Sequence, residues 1–268
     1  MSSLFASTTA RQNFPRGLHQ PKGGFRFSID ALLLAAFAAE HSTSRVIDLG
    51  TGCGVLSLGL LLLRPNASMH ILGIDNNPEM IAMAGANSKK LGFALHFLPV
   101  LGDVARLRDI PDVHPGCYDM ALCNPPYRRS GQGRMPRNAA KQAAMFESET
   151  RLEDFIRAAS VALKVKGRLM CIHLPEHLHR LLDGLGKVNL TPKRLRMVHP
   201  HVDKPARLLL LEARKEGNPG LLVEPPLSLY HRECIDGEIV HHTTREALDF
   251  CPFLACNRSR SITKPAPV

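Results

Sequence analysis

The stretch that decides the fold of this 268-residue chain is Val46-Ile47-Asp48-Leu49-Gly50-Thr51-Gly52-Cys53-Gly54. It opens with a short apolar run, typical of a buried strand, and ends with a glycine at every second position. Glycines let a backbone turn sharply and approach a ligand closely. Apolar residues continue to Leu63 and end before Pro65 and Asn66, so we predict a strand, a tight turn and a helix.

The same alternation extends on both sides of this stretch, which indicates an α/β protein with a mostly parallel sheet of seven strands. The last two strands have no helix between them, so we expect them to form an antiparallel hairpin at one edge. Helices are predicted at 30–40, 55–63, 78–91, 152–163 and 176–185, and strands at 45–49, 69–74, 95–98, 118–123, 168–173, 193–198 and 207–213.

The domain organisation that we predict has three parts. Residues 1–24 contain prolines and glycines without a clear pattern and are interpreted as a flexible tail. Residues 25–216 form the α/β domain. Residues 217–268 show no firm element and are interpreted as an extension of unknown role.

Composition indicates which classes of partner and which cellular compartment to expect. Lys and Arg number 34 against 24 Asp and Glu, and the resulting charge of +10 favours phosphate polymers as partners. The longest apolar runs are about half the ~20 residues that cross a bilayer, so we expect no membrane partner. The seven cysteines are scattered, which predicts a reducing cytoplasm, and the spacing of Cys251 and Cys256 after His241 and His242 suits no compact zinc site, so we predict no metal.

The glycine turn is where a ligand is expected, because open α/β sheets bind ligands beyond the carboxyl ends of their strands. Gly50, Gly52 and Gly54 lack the G-x-G-x-x-G spacing of a dinucleotide site. Asp48 would be unfavourable beside a pyrophosphate but favourable beside the cationic amino-acid end of S-adenosylmethionine (SAM). Asp75 ends the second strand, where it suits a ribose diol, and we expect Asp103 near the adenine edge. We therefore predict SAM as the cofactor.

A second motif, Asn124-Pro125-Pro126-Tyr127, follows the fourth strand at the same rim. A planar NH2 group delocalises its lone pair and is a poor nucleophile. The side-chain oxygen of Asn124 and the carbonyl of Pro125 can hold both N–H bonds, and the prolines preorganise them. Positive charge that grows on the nitrogen strengthens both bonds in the transition state. Tyr127 can stack on the planar substrate.

The segment after this motif is basic. Arg128, Arg129, Arg134, Arg137 and Lys141 fall within fourteen positions, and no acid lies between Asp119 and Glu147. A glycine-bearing basic loop beside the rim is suited to a polyphosphate substrate, so we predict that these five residues bind RNA. A base in a folded RNA loop can be splayed into such a pocket at low cost.

With both motifs in place, Asp48–Gly54, Asp75 and Asn124–Tyr127 resemble the class I methyltransferases of the N-P-P-Y group, which have a Rossmann-like sandwich fold. The run Phe25–Ala35 resembles the start of the bacterial tRNA1(Val) adenine-N6 methyltransferase family, and the likeness spans roughly residues 18 to 230. This resemblance implies SAM as methyl donor, Asn124 and Pro125 as the residues that orient the amine, and Asp30 near the cofactor. It also implies a tRNA substrate methylated beside the anticodon.

Other functions remain open at this point. The same motif serves glutamine N5 methylation of a release factor, although only 44 residues precede Arg45 and that family normally has a helical domain there. DNA adenine methylation is disfavoured because the chain has no sizeable target-recognition domain. A non-catalytic RNA-binding protein with the same fold is a further alternative, and the oligomeric state is open.

Overall fold

The computed structural model describes residues 9–21, 29–65, 68–126, 152–235, 238–256 and 260–261. Helices cover both faces of a central sheet, as the sequence predicts. The helices are α1 Ile29–Ala39, α2 Val55–Leu63, α3 Pro78–Lys90, α4 Leu152–Ala162, α5 Leu178–Gly186 and α6 Arg245–Phe250. Short 3-10 helices cover Val104–Asp109, Pro175–His177 and Pro252–Cys256.

The strands of the central sheet are β1 Arg45–Leu49, β2 His70–Asp75, β3 Phe97–Leu101, β4 Tyr118–Cys123, β5 Leu163–His173, β6 Leu190–His199, β7 Leu208–Lys215, β8 Leu222–Val223 and β9 Leu227–Ser228. Their order in the sheet is β3-β2-β1-β4-β5-β7-β6-β8, with β9 also paired to β6. The first five strands in this order run parallel, and β7 is antiparallel to both β5 and β6. The predicted edge hairpin is therefore confirmed.

The core consists of two apolar layers, one on each face of the sheet. One layer packs α1, α2 and α3 against the sheet, and the other packs α4, α5 and the 3-10 helix Val104–Asp109. Alternate residues of the central strands serve the two layers: Met120 and Leu122 of β4 face the first, whereas Ala121 and Cys123 face the second. Burial on both faces explains the unbroken apolar runs in the sequence.

The sequence prediction is wrong in two places before residue 100. The third strand begins at Phe97 rather than Leu95, because residues 91–95 turn after α3 and leave the Leu95 side chain 88% exposed. Residues 9–12 are helical, although we expected loop, and Phe14 and Leu18 just beyond them are buried in the first layer. The described part of the predicted tail is therefore packed against the core.

Residues after 217 also contain elements that the sequence did not reveal. Besides β8, β9 and α6, a second small sheet consists of β10 Tyr230–Ile235, β11 Glu238–Thr243 and β12 Arg260–Ser261. Leu227, Leu229 and Cys251 are buried in the first layer, so this extension shares the core of the α/β domain. In the part of the chain that the structure describes, no helix has the length and apolarity to cross a bilayer.

A buried carboxylate ties the hairpin edge to the rest of the domain. Glu212 of β7 is 1% exposed, and its Oε2 accepts bonds from Arg194 Nε at 2.6 Å and His41 Nε2 at 3.0 Å, while Arg168 pairs with Oε1. Burial raises the pKa of Glu212, but the hydrogen bonds and charges of these partners outweigh burial and lower it to about 2. Arg194 also reaches Glu224 at 3.0 Å, which links the extension to β6.

We predict that Glu212→Gln lowers the free energy of unfolding by about 3 kcal/mol at pH 7, because it breaks a buried charge cluster, removes the carboxylate partner of Arg168 and removes one of the carboxylate partners of Arg194. A carboxyl whose pKa falls on folding stabilises the protein above its unfolded pKa. The difference in the free energy of unfolding between wild type and variant should therefore shrink as the pH falls from about 5 towards 2. Urea unfolding followed by circular dichroism measures it.

Glu233→Gln is the matched control, because the Glu233 side chain is 58% exposed and 3.4 Å from His242. We expect the control to change stability by less than about 0.5 kcal/mol. Equal stability of Glu212→Gln and wild type across this pH range would contradict the assignment.

Candidate active site

The site is the rim where four neighbouring parallel strands end. Leu49 of β1 pairs with Ile74 of β2 on one side and with Cys123 of β4 on the other. The next residue along each strand is therefore at one level, which brings Gly50, Asp75 and Asn124 side by side. Asp75 pairs in turn with Leu101, which brings the Gly102-Asp103 turn to the same rim.

The glycine turn is held against β2 and leaves space at one glycine. Gly50, Gly52 and Gly54 have φ angles of 74°, 55° and 83°, in the left-handed region that favours glycine. Gly50 and Thr51 donate to the carbonyl of Ile74 at 2.8 and 2.9 Å. A methyl group on Gly54 would meet Phe97 at 2.6 Å, whereas one on Gly52 would have no neighbour within 4 Å among the residues that the structure describes. Gly52 therefore borders the open space in which a ligand can approach the backbone.

Asp48 carries the electrostatic character of the site. Its side chain is 0% exposed, and Oδ2 accepts bonds from Ser57 Oγ at 2.6 Å and Thr51 Oγ1 at 2.7 Å. The other oxygen, Oδ1, has no hydrogen-bond partner among the described residues. Burial raises the pKa of Asp48 to about 6, and the two hydroxyl bonds offset only part of that rise. A buried carboxylate oxygen without a partner is an acceptor for a cationic group.

Two further carboxylates stand at the ends of β2 and β3. Asp75 accepts bonds from the backbone N–H of Gly52 at 2.8 Å and of Asn77 at 2.9 Å, so it braces the glycine turn. Burial raises the pKa of Asp75. Asp103 begins the 3-10 helix Val104–Asp109 by accepting a bond from the N–H of Ala105 at 2.9 Å. Each carboxylate therefore has a structural role in the turn it occupies and lies at the predicted rim.

The second motif is only partly described. Asn124 is half-buried and Pro125 is buried, directly after β4 and beside the glycine turn. Asp30 is 7% exposed in the first turn of α1, on the face that also carries α2. Tyr127 and the five basic residues Arg128, Arg129, Arg134, Arg137 and Lys141 lie outside the described residues, so their roles stay predictions.

His173 is a rim residue that sequence reasoning did not single out. Counted on from the pair Cys123–Cys171, it stands at the level of Pro125. It is 2% exposed, its Nδ1 accepts a bond from the N–H of Leu174 at 2.8 Å, and its ring lies 4.9 Å from that of His177. Burial lowers its pKa to about 4, so the ring is neutral at physiological pH and carries its proton on Nε2. The sequence could have indicated His173, because this residue ends a predicted strand and therefore belongs to the same rim.

The cysteine and histidine residues of the extension do not form one cluster in the described part of the chain. Cys251 is buried in the first layer, with its Sγ 3.4 Å from the carbonyl of Leu32, and burial raises its pKa to about 12. His241 instead contacts His201 at 2.9 Å. Among the residues that the structure describes, no group of three or more His, Cys, Asp or Glu could hold a metal ion.

The rim fits SAM. The unpartnered oxygen of Asp48 suits its ammonium group, and the open space at Gly52 permits close approach by the backbone. The fold and this site define a class I SAM-dependent methyltransferase. A methyltransferase domain family matches residues 40–199, and the chain belongs to this family.

Individual relatives agree with the class. The chain is 27% identical over 191 residues to the tRNA1(Val) (adenine(37)-N6)-methyltransferase of Parabacteroides distasonis, covering 71% of this chain and 77% of the relative. The enzyme of the same name from Dyadobacter fermentans is 25% identical over 218 residues, covering 81% and 87%. The resemblance to this family, stated from the motifs, is therefore confirmed.

A solved structure matches most of the fold. The crystal structure described as "a predicted O-methyltransferase" from Agrobacterium tumefaciens has a TM-score of 0.64 at 20% identity, covering 84% of this chain and 96% of that one. At this identity the match supports the fold alone.

We predict that Asp48→Asn lowers SAM affinity at least tenfold at pH 8, because a charge-assisted bond is lost. The same change should not destabilise the protein without ligand, since it removes a charge that burial disfavours. In wild type, affinity should fall as the pH drops through about 6 and Asp48 becomes protonated, whereas the variant should lack this dependence. Calorimetric titration and thermal unfolding measure these effects.

Asp183→Asn, at a side chain 66% exposed on α5, is the control and should bind SAM as wild type does. SAM affinity unchanged by Asp48→Asn would show that the carboxylate is not a ligand.

Proposed function

We propose that the protein transfers a methyl group from SAM to the N6 amine of adenine in RNA, and that the RNA is a tRNA methylated near its anticodon. The observation that carries the proposal is the position of Asn124 and Pro125 beside the glycine turn, one strand from Asp48. In this proposal the Asn124 side chain and the Pro125 carbonyl are the two acceptors, one strand away from the glycine turn.

The chain's own residues account for the chemistry in this proposal. When bound, SAM would supply a methyl group on a positively charged sulfur, and the S–CH3 bond that breaks would leave a neutral thioether. Asn124 Oδ1 and the carbonyl of Pro125 accept the two N–H bonds of the adenine amine and so orient its lone pair. As the new N–C bond forms, positive charge grows on the nitrogen and both acceptors bind it more strongly. The nitrogen then loses one proton to solvent, so no strong base is needed.

The cofactor assignments belong to the same proposal. Asp48 pairs with the ammonium group, Asp75 accepts bonds from the ribose hydroxyls, and Asp103 lies towards the adenine edge. Gly50, Gly52 and Gly54 give the backbone its close approach, and Asp30 stands near the cofactor from α1. His173 is buried at the end of β5, level with Pro125, and its ring is neutral at physiological pH.

RNA is favoured as the substrate by charge and by relatives. The formal charge is +10, and five basic residues follow the second motif. Relatives that resemble most of the chain are named for adenine-N6 methylation of a tRNA. We place the reaction in the cytoplasm, where the unpaired cysteines would stay reduced.

We predict that Asn124→Ala lowers methyl transfer to unmodified tRNA by a factor of about 100 to 1,000, as expected for one preorganised polar contact in a transition state. SAM affinity should change less than about threefold. Asn124→Asp retains an acceptor and should keep more activity than Asn124→Ala. Tritiated SAM with separate tRNA, rRNA and protein pools measures the transfer, and nucleoside analysis identifies the product.

N6-methyladenine mapped beside the anticodon is the expected result. Full transfer by Asn124→Ala would refute the mechanism. Label in protein but not in RNA would refute the substrate and favour glutamine methylation.

A further inference from the structure

Two adjoining surface cavities lie at the end of the sheet opposite the active rim. They are about 270 and 220 Å3 in volume, and Lys166 and Arg214 line both. Strands β4 and β5 begin here and β7 ends here, so the cavities are roughly 20 Å from Asn124 at about 3.3 Å per strand residue. The first cavity is lined by residues 41–44, Asp119, Met120, Lys164, Lys166, Arg168 and Arg214, and the second adds Lys193, Gly217 and Asn218.

The positive charges here are only partly neutralised. Asp119, the carboxylate that lines the first cavity, is already engaged by Lys164 at 2.5 Å and by the N–H groups of Ser44 and Arg45 at 3.0 and 2.8 Å. These bonds lower the pKa of Asp119 against the opposing effect of burial, so it is ionised at neutral pH. Arg168 pairs with the buried Glu212 described above.

Within the described ranges, three other cations have only backbone carbonyls as hydrogen-bond partners. Lys166 donates to the carbonyl of Glu216, Arg214 Nε donates to that of Lys166 at 3.1 Å, and Lys193 donates to that of Asn218 at 3.2 Å. None of the three has a carboxylate within 4 Å among the residues that the structure describes. Their charges are therefore available to an anion.

Two independent observations indicate that the place is suited to a ligand. Thr43 lines the first cavity at 8% exposure, and its Oγ1 has no hydrogen-bond partner within the described ranges. An unsatisfied buried hydroxyl costs free energy unless a ligand or water completes it. Lys166 has a φ of 62°, a conformation that is unfavourable for lysine, and this residue lines both cavities.

We propose that Lys166, Lys193, Arg214 and Thr43, here called the basal cluster, bind phosphate groups. Ammonium and guanidinium groups with a free hydroxyl donor suit phosphate, and the cavities have room for one or two phosphate groups each. Resting on the function proposed above, we assign the phosphates to the backbone of the RNA substrate. An RNA whose base is at the rim would reach the basal cluster along the side of the domain, away from the methylated nucleotide.

The test uses the full chain with a double variant, Lys166→Gly and Arg214→Gln. Glycine suits the φ of 62° at position 166, so the change removes charge without adding backbone strain. Arg157→Gln with Arg245→Gln is the matched control, because it removes the same charge at side chains that are 62% and 94% exposed. Thermal unfolding verifies that all three proteins are folded.

Fluorescence anisotropy measures the binding of unmodified tRNA over a salt series. We expect the basal-cluster variant to bind at least tenfold more weakly at low salt and to lower the salt slope by roughly 1.5, as expected for two lost phosphate contacts. The control should bind within about threefold of wild type. A second arm measures the shift in melting temperature that pyrophosphate produces in each protein.

The two arms distinguish whether the basal cluster binds phosphate and whether that phosphate belongs to RNA. Loss of tRNA affinity in the basal-cluster variant alone supports the proposal. Unchanged tRNA affinity with loss of the pyrophosphate shift supports a phosphate site and overturns RNA as its source. If the basal-cluster variant keeps both its tRNA affinity and its pyrophosphate shift, the proposed phosphate site is wrong. Because both arms measure binding, a wild-type protein that binds tRNA without methylating it would refute the proposed reaction and leave the basal cluster standing.

Discussion

The active rim depends on the register in which β1 pairs with β2 and β4. Leu49, Ile74 and Cys123 are partners across three strands, so the residues that follow them emerge at one level. A slip by one residue on any of these strands would turn buried side chains towards the opposite layer, which the apolar packing on both faces forbids. The packing of the core therefore also positions Gly50, Asp75 and Asn124.

Asp48 shows how the site uses this rigidity. A carboxylate that is fully buried beside two hydroxyls is held in place but incompletely satisfied, and its raised pKa reflects that imbalance. The free protein carries this cost because the fold around Asp48 is tightly packed. A cationic ligand relieves it, so part of the affinity for SAM would come from a group that is unfavourable without the ligand.

Both ends of the described chain pack on one face of the domain. Phe14 lies edge-on to Phe253 with ring centroids 4.7 Å apart, and Asn87 of α3 bonds to His19 and to the carbonyl of Cys53 in the glycine turn. Arg11 Nε donates to the carbonyl of Leu91 at 2.7 Å. These contacts brace the glycine turn from the side of the first apolar layer. The segments outside the central α/β pattern thus support the site through packing.

The sequence by itself determined the α/β class, the edge hairpin, the glycine turn and the class of methyltransferase. It could do so because the periodicity of apolar residues, the glycines and prolines of turns, and short motifs are properties of neighbouring residues. The start of β3, the helical turn at residues 9–12 and the strands after Gly217 were missed, because long-range packing decides them. Only the tertiary structure placed His173 level with Pro125, put Thr43 in the first basal cavity and gathered Lys166, Lys193 and Arg214 at the two adjoining cavities. These residues are distant in the chain, and the pairing of β5, β6 and β7 brings them together.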